Sequence, residues 1–298
     1  MTIKNYKDTF KKELLPIYDE QEIDSFFYII LEKIHNLKRI DLALNPETPM
    51  DGVHLKQWKN ILSDLKIEKP IQYILGETEF CGLRFEVNES TLIPRPETEE
   101  LVELIVTEEA RGKRQEARVK ILDIGTGSGC IAISIAKNIP TAEVFAIDVS
   151  EKALATARSN AELNGVNVTF LLKNILETED LENEFDIIVS NPPYVRNLEK
   201  AEIKPNVLEY EPHLALFVED NDALLFYRKI AQLAIKSLAP NGKLYFEINQ
   251  YLGKETVELL ESLGFRNVEL RKDIYGNVRM ISCEKVEVRN QKADIRIT

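Results

Sequence analysis

The four residues Asn191-Pro192-Pro193-Tyr194 carry the most chemical information in this sequence, because together they suit a planar –NH2 group. Proline has no backbone N–H, so the carbonyls around it stay free to accept hydrogen bonds, and its fixed φ holds them in place. The Asn191 side-chain oxygen and the Pro192 carbonyl can each accept one N–H of such a group, and the Tyr194 ring can lie against its flat face. The alternative is a plain Pro-rich turn that ends the buried strand before it.

A glycine-rich loop, Asp-Ile-Gly-Thr-Gly-Ser-Gly-Cys, lies upstream at residues 123–130, between a strand-like run and an apolar helical stretch. A strand, a tight turn and a helix N-terminus bring backbone N–H groups close to a ligand. Cys130 takes the place of the last glycine of a Gly-x-Gly-x-x-Gly motif, so the dinucleotide fingerprint is not met. The loop instead looks like the S-adenosylmethionine loop of class I methyltransferases. Its candidate cofactor-binding residues are Asp123, Gly125, Thr126, Gly127, Ser128 and Gly129.

The next predicted strand ends in Asp148. A carboxylate about 20 residues past such a loop suits the two ribose hydroxyls of an adenosine ligand. The alternative is that Asp148 caps the helix that begins near Ser150.

Composition and charge narrow the class of protein. The chain has 298 residues, enough for one large domain and a small one. No apolar run approaches the ~20 residues of a membrane span, and the N-terminus lacks an apolar signal core, so a cytoplasmic location is predicted. Three Cys and three His are scattered, which predicts neither disulfides nor a metal site. The net charge of −12 argues against direct nucleic-acid binding.

The periodicity of apolar residues divides the chain into segments. Apolar positions recur at three- and four-residue steps between Ile23 and Leu37, and a second helical stretch covers 54–65. Gly76 and Gly82 bracket a short polar run that precedes alternating apolar residues, a pattern typical of a β-hairpin. The predicted segments are a helical substrate-recognition domain at 1–75, a hairpin linker and lid at 76–96, an α/β domain at 97–286 and a polar tail at 287–298.

Strand and helix patterns alternate in the α/β segment, which predicts a parallel sheet with helices on both faces. Two final strand-like runs, 264–270 and 277–283, are joined by a turn and predict an antiparallel pair. The other strands are predicted at 119–123, 143–148, 168–172, 186–190 and 243–248, and the helices at 97–109, 129–138, 150–163 and 221–238.

Three motifs in this order resemble the HemK family of protein-(glutamine) methyltransferases, which act on peptide chain release factors. They are Leu-Ile-Pro-Arg-Pro-Glu-Thr-Glu at 92–99, the glycine-rich loop and the Asn-Pro-Pro-Tyr tetrapeptide. The resemblance covers nearly the whole chain. The tetrapeptide alone is shared with adenine-amino DNA methyltransferases and some RNA methyltransferases, whereas the 92–99 segment is far more selective.

The resemblance implies a class I S-adenosylmethionine-dependent methyltransferase with a seven-stranded, mostly parallel sheet, a terminal antiparallel hairpin and a small N-terminal helical domain. It implies transfer of a methyl group to the side-chain amide nitrogen of the glutamine in a Gly-Gly-Gln motif. Asn191, Pro192, Pro193 and Tyr194 would bind this glutamine and carry the catalysis, with Asn191 also near the cofactor. A monomer without a metal ion is expected.

Three positions leave alternatives open. Where the family often has an acidic residue near the adenine, this chain has Asn174, whose amide can still form hydrogen bonds. Arg95 either shapes a lid over the cofactor or pairs with the acidic start of the following helix. The segment Glu211-Pro212-His213 is interpreted as a structural turn rather than a catalytic acid.

Two other functions compete with glutamine methylation. An enzyme that methylates an exocyclic amino group of adenine or guanine would use the same tetrapeptide, but would need a basic, aromatic-rich channel for the base. A non-enzymatic binding module is the second alternative, and the joint presence of Asn191 and the glycine-rich loop argues against it. The sequence does not indicate which release factors are modified.

Overall fold

The protein is described by a computed structural model that covers residues 1–111 and 118–286, apart from the side chain of residue 111. The described chain divides into two compact units. One unit contains Met1–Glu77, Val87–Glu89 and Glu202–Glu211, and the other contains Thr78–Glu86, Ser90–Ala201 and the chain from Pro212. The predicted polar tail at 287–298 lies outside the described residues.

Helices make up most of the first unit and cover both faces of the sheet in the second. They are α1 (Ile3–Leu14), α2 (Glu20–His35), α3 (Arg39–Leu44), α4 (Gly52–Lys66), α5 (Ile71–Leu75), α6 (Pro96–Arg111), α7 (Cys130–Asn138), α8 (Glu151–Asn164), α9 (Pro205–Tyr210), α10 (His213–Leu216), α11 (Leu225–Ser237) and α12 (Gly253–Ser262).

The strands form one large sheet and two small ones. They are β1 (Glu77–Phe80), β2 (Leu83–Glu86), β3 (Lys120–Ile124), β4 (Glu143–Asp148), β5 (Thr169–Leu172), β6 (Phe185–Ser190), β7 (Val195–Arg196), β8 (Phe217–Val218), β9 (Leu238–Glu247), β10 (Arg266–Lys272) and β11 (Val278–Glu284).

The helical unit packs around the fully buried Trp58 of α4. The Phe10 ring of α1 meets its indole edge-on, with centroids 5.6 Å apart, and the Phe27 ring of α2 lies 4.9 Å away. Helix α1 was not predicted, although its buried residues recur at helical spacing, because the charged residues between them obscured the pattern. Those buried residues are Ile3, Tyr6, Phe10 and Leu14.

The large sheet has the strand order β10-β11-β9-β6-β3-β4-β5. Strands β3, β4, β5, β6 and β9 run parallel, and β11 pairs antiparallel with both β9 and β10. One face is buried under α6, α7 and α8, and the other under α11 and α12. The predicted α/β architecture and its terminal antiparallel pair are therefore confirmed.

The structure adds elements that the alternation of strands and helices did not predict. Helix α5 ends at Gly76, whose φ of 73° suits a glycine after a helix. The segment between β6 and α11 contains α9, α10 and the two-residue strands β7 and β8. Short elements of this kind carry too few residues to show a period. Within the part of the chain that the structure describes, every helix is too short or too polar to cross a membrane.

Candidate functional site

The predicted site residues lie at the carboxyl edge of the large sheet, where β3 and β6 end side by side. Strand β3 leads to β4 and β5 on one side, and β6 lies on its other side, so the strand order reverses between β3 and β6. Ligands of open α/β sheets bind at such a switch point. Ile124 pairs with Ser190, which places Gly125 and Asn191 at the same level just beyond the strand ends.

The register of the next strand explains a further neighbour. Ser190 pairs with Phe246 of β9, so Glu247 follows at the level of Asn191. The Ser190 hydroxyl also donates to the Ile124 carbonyl at 2.7 Å and ties the two strand ends together. The glycine-rich loop, Asn191 and Glu247 therefore meet at one edge because parallel strands end there in register.

Two glycines of the loop have positive φ and open space beside them. Gly125 and Gly127 have φ of 76° and 56°, and a Cβ built on either would meet no atom within 4 Å. Gly129 differs, because a Cβ there would lie 2.8 Å from Ile133 Cδ1 and 3.1 Å from Ala157 Cβ. Gly129 thus allows α7 and α8 to pack closely, while Gly125 and Gly127 leave room for a ligand.

Asp123 is fully buried beneath this loop. Its Oδ2 accepts a hydrogen bond from the Thr126 hydroxyl at 2.6 Å, whereas Oδ1 makes no hydrogen bond of normal geometry to a described residue. Burial raises the pKa of Asp123 to about 7, although Thr126 and the Ala132 amide favour its charged form. The Ser128 hydroxyl is also buried and makes no hydrogen bond of normal geometry to a described residue. Unpaired buried polar atoms are rare in proteins, so these two fit a loop that binds a polar ligand.

Asp148 holds both the loop and the start of α8. Its Oδ2 accepts the Gly127 N–H at 2.9 Å, and its Oδ1 accepts the Ser150 N–H at 2.8 Å. The N-cap of α8 is Ser150, whose hydroxyl accepts the Ala153 N–H. Asp148 therefore orders the glycine-rich loop and the start of α8 without being the helix cap itself.

Asn174 follows β5 at the same edge of the sheet. Its Oδ1 accepts the Leu176 N–H at 3.1 Å and forms a local turn. No hydrogen bond from its Nδ2 to a described residue is seen, so the donor side of this amide is the side open to a ligand.

The Asn191 amide is held by its nitrogen. Nδ2 donates to the Thr98 hydroxyl at 3.3 Å, and Thr98 in turn donates to Glu247 Oε2 at 2.5 Å. Across the described residues, neither Asn191 Oδ1 nor the Pro192 carbonyl accepts a hydrogen bond. The two acceptors that the sequence singled out are therefore both available.

The Tyr194 hydroxyl turns toward the interior of the domain. It donates to Glu247 Oε1 at 3.0 Å, so both oxygens of this carboxylate are occupied. Glu247 is only 2% exposed, and burial raises its pKa although Thr98, Tyr194 and the charge of Arg279 favour the ionised form. Burial also raises the pKa of Tyr194.

A second layer of hydrogen bonds supports the tetrapeptide. Asn249, two residues beyond Glu247, donates through Nδ2 to the Tyr194 carbonyl and to Glu199 Oε2, each at 2.9 Å. Glu199 is buried and pairs with Arg196 at 2.6 Å. The backbone after Asn191 is thus fixed from both sides.

Sequence interpretation missed Thr98, Glu247 and Asn249. Thr98 stands inside the 92–99 motif, and Glu247 is a carboxylate that follows an apolar strand, so both carried a signal. Their connection was not visible, because 149 residues separate the two partners of one hydrogen bond.

The remaining candidates lie near this network or at a helix junction. The Arg95 carbonyl accepts the Thr98 N–H at 3.0 Å, and burial raises the pKa of Tyr194 while the charge of Arg95 offsets part of that rise. Glu211 is buried and ends α9, whereas Pro212 precedes α10. The position between two helices is that of a structural turn.

The arrangement has two chemically different halves. The first half offers backbone N–H groups at a helix N-terminus and carboxylates, and the second offers two carbonyl-type acceptors. Within the described ranges, His, Cys, Asp and Glu side chains form no group of three or more that could hold a metal ion.

Comparisons with known proteins agree with this geometry. A model of the methyltransferase small domain matches residues 103–210, and a model of the PrmC N-terminal domain matches residues 10–76. A release factor glutamine methyltransferase from Flavobacterium psychrophilum is 69% identical over 94% of this chain and 98% of its own length. One of the same name from Bacteroides thetaiotaomicron is 44% identical over 92% of this chain and 97% of its own.

A comparison of folds finds class I methyltransferase architecture in solved structures. A methyltransferase from Pyrococcus furiosus superposes with a TM-score of 0.50 at 22% identity, covering 78% of this chain and 99% of that one. At this identity the likeness describes the fold alone.

Proposed function

The chain belongs to the release factor glutamine methyltransferase family, and we propose that it holds the side-chain amide of the substrate glutamine between Asn191 and Pro192. It is an S-adenosylmethionine-dependent enzyme that methylates a glutamine of peptide chain release factors. We place that glutamine in a Gly-Gly-Gln motif, with the methyl group going to its side-chain nitrogen.

The observation that carries this proposal is the orientation of Asn191. Its amide is tethered through Nδ2 to Thr98, which leaves Oδ1 to accept a hydrogen bond. The Pro192 carbonyl is a second acceptor one residue away. An –NH2 group has two N–H donors, so the pair of acceptors matches it in number.

Positioning is the chemical task of these residues. An amide nitrogen is a poor nucleophile because its lone pair is delocalised into the carbonyl, as in a peptide bond. Two acceptors that fix its N–H groups can align this nitrogen for attack and restrict it to one geometry. Such positioning supplies up to ~7–11 kcal/mol in the best intramolecular cases. The nitrogen becomes acidic as it forms the new bond, so no strong base is required beforehand.

The cofactor half of the site is assigned to the loop and the strand ends beside it. S-adenosylmethionine supplies an electrophilic methyl group when bound. The open space beside Gly125 and Gly127 and the unpaired oxygen of Asp123 support its binding there. Residues assigned to the cofactor are Asp123, Gly125, Thr126, Gly127, Ser128, Gly129, Asp148, Asn174 and Asn191.

Asp148 is assigned to the ribose hydroxyls, and Asn174 to the adenine. The Asn174 nitrogen is the free side of its amide, so it would donate to a ring nitrogen of adenine. Tyr194 would contribute its ring face to the substrate, because its hydroxyl is committed to Glu247.

We further propose that the enzyme is a cytoplasmic monomer that recognises protein rather than nucleic acid. The net charge of −12 supports a protein partner, because nucleic-acid enzymes bind phosphates through basic surfaces. The helical unit, with residues 10–76 matched to the PrmC N-terminal domain, is assigned to substrate recognition.

Labelled S-adenosylmethionine tests the substrate class directly. The protein is incubated separately with a folded release factor, with the same factor carrying Gln→Ala in its Gly-Gly-Gln motif, with DNA and with ribosomal RNA. We expect label in the unaltered factor only, and mass spectrometry should place it on the glutamine. Label in nucleic acid that nuclease removes would instead support methylation of a base amino group.

A further inference from the structure

Thr98 stands between a buried carboxylate and the substrate-facing asparagine. It is 2% exposed at the start of α6, with its hydroxyl oxygen 2.5 Å from Glu247 Oε2 and 3.3 Å from Asn191 Nδ2. Neither Thr98 nor Glu247 is assigned to the cofactor or the substrate. They form a chain of two hydrogen bonds that ends on the residue proposed to hold the glutamine.

The two linked hydrogen bonds have a direction, because Glu247, Thr98 and Asn191 differ in the protons that they can donate. An ionised carboxylate can only accept, and a hydroxyl has a single proton to give. Thr98 donates that proton to Glu247, so toward Asn191 its oxygen can only accept. The Asn191 amide must then present its NH2 to Thr98 and its oxygen elsewhere, which is the orientation that a donor –NH2 substrate requires.

Both oxygens of Glu247 accept hydrogen bonds, the second one from the Tyr194 hydroxyl. Burial raises the pKa of Glu247, and the hydrogen bonds from Thr98 and Tyr194 and the charge of Arg279 oppose that rise. Arg279 is itself fixed by the buried Asp273, whose Oδ2 lies 3.3 Å from its Nε. The carboxylate therefore has a hydroxyl donor at each of its two oxygens.

We propose that Thr98 and Glu247 are positioning residues that set the direction of the Asn191 amide, so that its oxygen and not its nitrogen faces the substrate. The inference rests on the proposed role of Asn191 and deepens it. Without the Thr98 hydroxyl the Asn191 amide can rotate by half a turn. One of its two orientations then points the Asn191 NH2 group, a donor, at the substrate NH2 group, which is also a donor.

The test compares two substitutions of similar size at one position. Thr98→Val keeps the shape and removes the hydroxyl, whereas Thr98→Ser keeps the hydroxyl. We expect kcat for release factor methylation to fall about tenfold in the valine variant, as the loss of one hydrogen bond predicts, and to stay near the wild-type value in the serine variant. KM for the release factor and the calorimetric Kd of S-adenosylmethionine should change less than about threefold, since neither ligand touches Thr98.

Thr256→Val is the matched control. Thr256 is also a fully buried helix residue, and its hydroxyl donates to the Leu252 carbonyl at 2.7 Å within α12. Its substitution measures what the loss of a buried threonine hydroxyl does to thermal stability, and we expect no change in kcat. A kcat loss that merely followed stability would affect Thr256→Val as well.

A double-mutant cycle separates action through Asn191 from any other action. In an Asn191→Ala background, Thr98→Val should have no further effect on kcat, because the amide that it orients is gone. Additive losses would overturn the inference, and so would a folded Thr98→Val enzyme with wild-type kcat.

Glu247→Met decides the question if Thr98→Val fails to fold. Methionine has a similar length and no oxygen acceptor, which frees the Thr98 proton for Asn191 Oδ1 and reverses the direction of the hydrogen bonds. We expect a kcat loss of about tenfold with little change in cofactor affinity, and wild-type kcat in this variant would overturn the inference. A wild-type enzyme that leaves release factors unmethylated would instead refute the proposed function, so the two failures are distinguishable.

Discussion

Two buried carboxylates at the same sheet edge, Asp123 and Glu247, are used in different ways. Asp123 has one oxygen bonded to Thr126 and one buried oxygen that accepts no hydrogen bond of normal geometry from a described residue. Glu247 has both oxygens bonded, to Thr98 and to Tyr194. The first belongs to the loop assigned to the cofactor, and the second to the network behind Asn191.

The difference shows how each half of the site obtains its shape. The cofactor half is shaped by backbone: positive φ at glycines, open space and a helix N-terminus. The substrate half is shaped by side chains whose hydrogen bonds are satisfied internally, except for the two acceptors at its surface. Changes in the first half should therefore alter cofactor affinity, and changes in the second should alter turnover.

Asn191→Ala should give the largest effect on turnover. It removes one of the two acceptors that position the amide, and the loss of one preorganised partner typically costs ~10²–10³ in rate. The fold should survive because Asn191 lies at a strand end and is not fully buried. Steady-state kinetics and calorimetry with S-adenosylmethionine check the prediction; kcat should collapse, whereas the affinity for the cofactor should change only modestly.

Asn138→Ala provides the control for this substitution. Asn138 ends α7, and its Nδ2 donates to the Ser134 carbonyl at 2.9 Å. A folded Asn191→Ala enzyme that binds the cofactor and still methylates at the wild-type rate would refute the assigned mechanism.

Asp148→Ala should produce the opposite pattern, a loss of cofactor affinity. A charged hydrogen bond contributes roughly 1.5–3 kcal/mol, so the Kd of S-adenosylmethionine should rise by about ten- to a hundredfold. At saturating S-adenosylmethionine the turnover rate should stay close to the wild-type value, because Asn191 and Glu247 are unchanged. Calorimetry with S-adenosylmethionine and NAD gives the measurement, and tight binding of NAD would contradict the cofactor assignment.

Gly129→Ala and Gly127→Ala should divide the loop into a packing part and a binding part. Gly129→Ala forces a Cβ against Ala157 and Ile133, and overpacking of this kind costs roughly 1–3 kcal/mol. Gly127→Ala meets no atom within 4 Å, so we expect its main effect on cofactor affinity. Urea unfolding and calorimetry measure the two effects.

Gly165→Ala is the control for backbone strain alone. Its φ of 64° is also positive, it lies after α8, and a Cβ there would meet no atom within 4 Å. If Gly129→Ala were no more destabilising than Gly165→Ala, the close packing of α7 and α8 would not be the reason for this glycine.

The large sheet was predictable because each strand and helix carries a period of its own. The strand that ends at Asp148 and the helix after the glycine-rich loop were found within one or two residues. Helix α1 was missed although its period is present, because the lysines between its apolar residues made the segment look like a polar terminus.

The site was predictable in its motifs but not in the network behind them. Asn191 and the loop are local patterns, so their residues are adjacent in sequence. The position of Glu247 depends on how the strands pair: Glu247 lies at the level of Asn191 because Ser190 pairs with Phe246, and Thr98 connects the two side chains. A sequence shows no pairing register directly, and the direction of the Asn191 amide depends on it.

Tyr194→Phe should have the smallest effect on turnover, because the hydroxyl points away from the substrate. The variant keeps the ring face and loses the 3.0 Å hydrogen bond to Glu247. One oxygen of a buried carboxylate is then unpaired, which costs roughly 1–3 kcal/mol of stability. Thr98 still holds the other oxygen, so the Asn191 amide keeps its direction and kcat should fall less than about tenfold.

Tyr245→Phe is the matched control, since its hydroxyl also donates to a carboxylate, Glu108 Oε2 at 2.8 Å. Similar losses of stability in the two variants, with kcat nearly unchanged in both, would show that the hydroxyl of Tyr194 acts only on the scaffold. A hundredfold loss of kcat in a folded Tyr194→Phe enzyme would show that the hydroxyl orients the glutamine, and the substrate half would then depend on more than its two acceptors.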